Sequence, residues 1–274
     1  MAQIGDKRFN FFLLTDYNST SMSKIKVVFF DLGSTLVYSN DPWPPFYEQA
    51  DRELVGVLHR AGIEIDPSAF YIESGGFIRS YYDTHSEDNL EQTTFTVLRD
   101  VLSRKGFRNV PDPVLRTALE AMYAVTQQNW YLEEDAISTL ETLKSRGYCL
   151  GLISNTSDDN NVQGILDRWG LRPFFATIVT SAALGIRKPD PRIFQVALDQ
   201  IRVQPEDAAM VGDSLDADIL GANQSGIYSI WITRRVQVSE EGELAIQPQA
   251  VVTALYQIPD LLAEIEHDRA KGLA

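Results

Sequence analysis

An apolar run, Val27-Val28-Phe29-Phe30, ends in Asp31, and turn-forming Gly33 and Ser34 follow. A buried strand that delivers a carboxylate to its C-terminal tip reads this way, and that tip is the edge at which open α/β sheets bind ligands. Three later segments have the same layout. Gly151-Leu152-Ile153-Ser154-Asn155 is an apolar run closed by a hydroxyl and an amide. Arg187-Lys188-Pro189-Asp190-Pro191 places a cation just ahead of a helix start. Met210-Val211-Gly212-Asp213 leads from an apolar run into a carboxylate cluster that includes Asp216 and Asp218.

Together these residue types suit phosphoryl transfer. Asp31 is placed to attack phosphorus and form an aspartyl phosphate. Mg²⁺ prefers carboxylate oxygens, retained water and substrate phosphate, and Asp31 with Asp213 supplies the carboxylates. Lys188, Ser154 and Asn155 can neutralise and hydrogen-bond phosphoryl oxygens as charge redistributes. Each segment also has an ordinary explanation. An aspartate after a strand caps turns, Ser154-Asn155 can cap a helix, and a lone lysine is usually a solvated charge. Asp190-Pro191 reads as an N-cap with proline at the first helical position. The Asp213–Asp218 run is either a metal site or an acidic helix start favoured by the helix dipole, with Asp216 facing solvent. Four such segments in this order outweigh any one of them.

The elements that must position these groups follow from periodicity. From about residue 134 the chain alternates helix and strand. Helices are predicted at 134–146, 159–169, 191–201, 216–224 and 259–267, and strands at 148–153, 176–180, 208–211, 228–232 and 250–255. This alternation implies a doubly wound parallel sheet covered by helices on both faces, and the first strand belongs to it. Between about 43 and 130 the pattern is helical. Pro44-Pro45 opens one helix that Gly62 stops, and Asp66-Pro67 opens a second. Leu90 to Lys105 and a stretch opening at Asp112-Pro113 give two more. The expected organisation is an N-terminal extension at 1–23, an α/β core from 24–42 and 131–274, and a helical insert at 43–130.

Composition narrows the partners. The 274 residues carry a formal net charge of -14, which repels phosphate backbones and argues against nucleic acid. Hydrophobic residues make up 44%, enough for a packed core. No apolar run approaches the about 20 residues that span a bilayer. Cys149 is the single cysteine, so no internal disulfide forms, in keeping with a reducing cytoplasmic compartment. A monomer or homodimer acting on a small phosphorylated metabolite is expected.

The four segments, in this order and spacing, resemble the haloacid dehalogenase superfamily of aspartate-nucleophile hydrolases, from about residue 25 to the C-terminus. The resemblance implies a Rossmann-like core with an inserted C1-type helical cap over the substrate. The family's first motif, Asp-x-Asp-Gly-Thr-Leu, reads here Asp31-Leu32-Gly33-Ser34-Thr35-Leu36. By this resemblance Asp31 is the nucleophile, and Ser154 and Lys188 match the second and third motifs. Asp213 and Asp218 match the fourth. The metal is held by Asp31, the Gly33 carbonyl and Asp213, with Asp218 supporting from behind.

The departure is Gly33. In family phosphatases an aspartate at that position protonates the leaving group and then activates water. Losing a general acid/base typically costs roughly 10²–10⁴-fold in rate. Ser34, Asp41, His59 and His85 are candidates to replace it. The implied function is a Mg²⁺-dependent phosphatase of a small organic phosphate. The alternatives are a phosphate-binding protein without substantial turnover, and dehalogenase-type chemistry, which needs no metal.

Overall fold

The computed structural model describes residues 24–66, 89–236 and 245–271. Its centre is a six-stranded, wholly parallel sheet in the order β5-β4-β1-β6-β7-β8. The strands are β1 (Val27–Phe30), β4 (Cys149–Ser154), β5 (Thr177–Thr180), β6 (Ala208–Gly212), β7 (Tyr228–Ile232) and β8 (Ala250–Val252). β1 sits in the middle, between β4 and β6, where the strand order reverses direction. Doubly wound sheets form their ligand crevice at such a switch point.

All four residues of β1 are buried, because helices cover both faces. Val28 and Phe30 point into one apolar cluster and Val27 and Phe29 into another, as strand alternation requires. The first cluster takes Leu140 and Leu143 of helix α4 (Ala136–Ser145), Ile165 and Leu166 of α5 (Asp159–Arg168), and Leu262 of α9 (Ile258–Ala270). The second takes Ile193, Phe194, Ala197 and Leu198 of α7 (Pro191–Ile201). Burying a side chain such as Phe29 or Phe30 is worth roughly 1.5–3 kcal/mol.

The helical insert has a hydrophobic cluster of its own. Helices α1 (Trp43–Arg60), α2 (Thr94–Arg104) and α3 (Asp112–Thr126) close around Leu54, Leu58, Leu98, Leu102, Leu115 and Leu119. Proline follows the first residue of α1 and of α3, where its missing N–H costs nothing. Thr93 caps α2 by accepting from the Thr96 N–H at 3.2 Å. The helix expected to open at Asp66-Pro67 lies outside the described residues, as do His85 and residues 1–23.

Several expected elements differ in detail. Two short strands were not anticipated: β2 (Val37–Ser39) and β3 (Trp130–Leu132) pair antiparallel into a ribbon where the insert leaves and rejoins the core. Three residues are too few for alternation to show in a sequence. The strand expected at 250–255 stops at Val252, and Leu255–Gln257 instead form a 3₁₀ turn leading into α9. The helix expected at 216–224 splits into a π-helical turn, Leu215–Ile219, and a short helix α8 (Leu220–Gln224).

Candidate active site

The loop after β1 turns sharply. Asp31 N–H bonds the Val211 carbonyl at 2.9 Å, which continues the β1–β6 pairing by one residue and holds the carboxylate at the sheet edge. Ser34 then adopts φ 56°, a left-handed conformation uncommon for a residue with a Cβ. The reversal lets both Leu36 N–H and Val37 N–H reach the Leu32 carbonyl, at 2.9 and 3.0 Å. Strained backbone of this kind concentrates at functional sites.

Lys188 arrives from the other side. Its ammonium is buried and gives all three protons to protein acceptors: Asp31 Oδ1 at 2.6 Å, Asp218 Oδ1 at 2.6 Å and the Ile153 carbonyl at 2.7 Å. One lysine therefore joins the ends of β1 and β4 to the turn that follows β6. Burial works against its charge, but Asp218 and Asp31 outweigh that and hold its pKa above the ordinary lysine value. The Lys188-Pro189 peptide bond is cis.

Asn155 holds the backbone of Lys188 rather than presenting its amide to the crevice. Its Oδ1 accepts from Lys188 N–H at 2.8 Å, and its Nδ2 donates to the Lys188 carbonyl at 3.0 Å. The amide is engaged on both sides, so its contribution is to position the lysine. Ser154, 4% exposed, stands at the last position of β4, next to the Ile153 carbonyl that Lys188 engages.

Asp218 reaches inward because of the π turn. Asp218 N–H and Ile219 N–H both bond the Ser214 carbonyl, at 2.9 and 3.2 Å, and this widened turn swings the carboxylate under β6. Asp218 Oδ2 accepts the Ser214 N–H at 3.0 Å. Gly212 makes the approach possible, since a Cβ there would lie 2.2 Å from Asp218 Cγ. Asp213 is half-buried, and its carbonyl is fixed by the Trp231 indole N–H at 2.8 Å. Asp216 is exposed, as expected from the sequence.

Each of Asp31, Asp213 and Asp218 offers a carboxylate oxygen, and these oxygens lie within 4.8 Å of one another. Three carboxyl groups thus face one ammonium. Burial pushes Asp31 up to about 6 despite Lys188. Burial, then the charges of Asp31 and Asp218, push Asp213 up to about 7. A hard divalent cation with oxygen ligands would relieve this excess of negative charge, so the donor set fits such an ion.

At Gly33 an added Cβ would stand in ordinary contact with the Trp130 ring, 3.6 Å from Cη2. No sequence signal pointed to Trp130, because it comes from β3, about a hundred residues along the chain. Two of the candidate replacement acids are occupied elsewhere. Asp41 is exposed and accepts the Tyr131 hydroxyl at 3.1 Å. His59 Nε2 closes the end of α1 against the Ile65 N–H at 3.1 Å and lies 2.6 Å from the Ile65 carbonyl oxygen.

A second set of contacts ties the insert to the core beside the lysine. Leu90 bridges Ile186, Arg187 N–H bonds the Asn89 carbonyl at 2.9 Å, and Glu91 N–H bonds the Gly185 carbonyl at 3.0 Å. The Glu91 carboxylate accepts the hydroxyl of Ser181, the first residue of α6 (Ser181–Leu184), at 2.8 Å. Sequence reasoning assigned neither Glu91 nor Ser181 a role.

The fold is a doubly wound α/β domain in which carboxylates from two strand ends surround a buried lysine. The family pattern for haloacid dehalogenase-like hydrolases matches residues 25–226, and the chain belongs to that family. It is 32% identical over 214 residues to glyceraldehyde 3-phosphate phosphatase of Methanopyrus kandleri, covering 77% of this chain and 84% of the relative. It is 31% identical over 243 residues to the enzyme of the same name from Pyrococcus furiosus, covering 88% and 94%. Among solved structures, a 2-haloacid dehalogenase from Pseudomonas syringae superposes with a TM-score of 0.63 at 26% identity, covering 88% of this chain and 99% of that one. Among the described residues no helix is long and apolar enough to cross a membrane.

Proposed function

We propose that this chain is a Mg²⁺-dependent phosphatase of a small organic phosphate, working through an aspartyl-phosphate intermediate. The observation that carries the reading is the buried Lys188 ammonium shared by Asp31 and Asp218, with Asp213 beside them. The relatives named as phosphatases support the same class.

Asp31 attacks phosphorus with one carboxylate oxygen. The bond from phosphorus to the ester oxygen breaks, and its electron pair leaves with that oxygen. Water then attacks phosphorus, the Asp31–phosphorus bond breaks, and inorganic phosphate and the free Asp31 carboxylate are released, with one proton of that water passing to solvent to balance the proton the leaving oxygen takes up. Lys188 orients Asp31 throughout and offsets phosphoryl charge, while Ser154 at the end of β4 lies where a phosphoryl oxygen can be hydrogen-bonded. Asp218 and Asn155 act on Lys188, from its side chain and its backbone respectively. Asp31, Asp213 and the Gly33 carbonyl would hold the Mg²⁺. When bound it offsets repulsion between the carboxylates and the incoming phosphate. The helical insert at 43–130 serves as the cap. A reducing, cytoplasmic setting accords with the single Cys149.

The test is hydrolysis of 4-nitrophenyl phosphate with Mg²⁺ by the wild type and by Asp31→Asn. Turnover by the wild type and its loss in the variant are expected. Turnover that persists in the variant removes Asp31 as nucleophile, and phosphate binding with no turnover of any ester identifies a binding protein. The solved dehalogenase likeness gives a second reading its own assay, chloride release from a 2-haloacid with chelator present. The excess of carboxylates beside Asp31 argues against such metal-free chemistry.

A further inference from the structure

Where a proton donor would help a leaving group depart, this site presents carbon. Position 33 has no side chain, and the direction its Cβ would take ends on the six-membered edge of Trp130, with Cη2 at 3.6 Å and Cζ3 at 3.9 Å. Trp130 does not stand alone. Trp43, the first residue of α1, meets it edge-on at 5.5 Å between ring centroids. Trp43 in turn stacks on Tyr47 at 5.4 Å with the planes 12° apart, and Phe46 packs against it at 6.4 Å. Trp43 and Trp130 are half-buried, and Tyr47 is 44% exposed. This aromatic wall begins two residues from the nucleophile and opens to the surface.

Among the described residues, three polar groups considered for this task have other partners. All three protons of Lys188 are taken by protein acceptors, Asp41 faces Tyr131, and His59 is tied to the Ile65 backbone. With no side chain at position 33, a leaving oxygen that meets no other acid departs with its negative charge and takes a proton from solvent. That is feasible for a conjugated oxygen and unfavourable for an alkoxide. A phenol ionises at about 10, as tyrosine does, whereas an alkanol resembles water, at about 15.7.

We propose, building on the phosphatase reading above, that the substrate class is phosphate monoesters with a planar, conjugated leaving group, aryl or enol, docked against Trp130 and Trp43. The two observations agree independently. The missing carboxylate selects leaving groups that need no acid, and the aromatic wall selects flat ones, since aromatic pairs gain energy beyond the area they bury. In the step itself, Asp31 Oδ bonds to phosphorus, the phosphorus–oxygen bond to the ring breaks, and the aryloxide carries away the electron pair. Solvent water then protonates it.

The experiment compares phenyl and 4-nitrophenyl phosphate with glyceraldehyde 3-phosphate and glycerol phosphate, using the full chain with Mg²⁺, as wild type, Trp43→Leu, Trp130→Phe and Gly33→Asp. Phosphonate binding to Asp31→Asn is measured alongside. The wild type is expected to favour aryl esters by at least about 100-fold in kcat/KM. Trp43→Leu is expected to raise KM for aryl esters by about 3- to 10-fold, and to weaken phenylphosphonate more than methylphosphonate in the Asp31→Asn background. Gly33 does not lie in the left-handed region and its added Cβ meets only ordinary contact, so Gly33→Asp requires the carboxyl group to turn aside from the Trp130 edge, and thermal unfolding of the variant checks that it folds. It is expected to narrow the aryl-over-alkyl preference by restoring an acid. Asp31-dependent turnover of alkyl esters on a par with aryl esters overturns this substrate class while leaving the phosphatase reading intact. The absence of Asp31-dependent turnover of every ester overturns the phosphatase reading itself.

Discussion

The ammonium of Lys188 lies 2.6 Å from Asp218 Oδ1, the same distance at which it meets Asp31 Oδ1. The lysine is therefore shared between the nucleophile and a carboxylate from the far side of β6, and its position depends on both. Replacing Asp218 by Asn keeps one acceptor for Lys188 but turns an amide N–H toward the Ser214 N–H, which now donates to Oδ2. Asp218→Asn is expected to lower kcat by about 10- to 100-fold, as loss of an orienting partner typically does. Steady-state kinetics across a Mg²⁺ series reads this.

Gly212 lets Asp218 approach. A methyl group there would fall 2.2 Å from Asp218 Cγ and 2.3 Å from Oδ2, inside any permitted contact. Gly212→Ala must displace the carboxylate or bend β6. A loss of stability of about 1–3 kcal/mol is expected from the overpacking, with a drop in activity larger than the stability loss explains. Urea unfolding and kcat/KM on the same preparation separate the two.

Asn155 clamps the lysine by its backbone. Asn155→Ala removes two hydrogen bonds, each worth about 0.5–1.5 kcal/mol net. The expected outcome is a stability loss of roughly 1–3 kcal/mol and weaker binding of inorganic phosphate, because Lys188 loses its orientation. Isothermal titration with phosphate checks the second effect. Asn155→Asp keeps only the acceptor for the Lys188 N–H and should fall between the two.

Glu91 carries a pH dependence. Its burial raises its pKa above the ordinary value, while the Ser181 hydrogen bond and Arg187 pull the other way. An acid with a raised folded pKa binds its proton more tightly in the folded state, so stability falls as pH rises from the unfolded value through the folded one. The contacts between Leu90–Glu91 and Gly185–Arg187 should therefore loosen as the medium is made less acidic. Glu91→Gln removes the buried charge and keeps a partner for Ser181. Its melting temperature relative to wild type is expected to be higher at pH 8 than at pH 5, and thermal unfolding across that range tests it. An equal difference at both values would show that folding does not raise the Glu91 pKa.

The parallel sheet was legible because β1, β4 and β6 are continuous apolar runs, the pattern that burial on both faces demands, and because glycines punctuate the helix ends. Asp31, Ser154 and Asp213 each end or directly follow such a run, while Lys188 and Asp218 lie at or just before helical turns, and one topology brings all five to one edge. Residue type alone did not assign Asn155 its task. An amide that can bind a phosphate can equally bind a peptide, and only its distances to Lys188 N–H and C=O distinguish the two.

The sequence by itself determined the sheet, the strand-end carboxylates and the glycine at position 33, since local pattern and residue identity are properties of the chain. Only the tertiary structure decided what surrounds them. The π turn that carries Asp218 beneath Lys188, the Glu91–Ser181 contact and the Trp130 edge beside Gly33 join residues up to about a hundred positions apart. Contacts of that range arise from packing and have no periodicity to betray them.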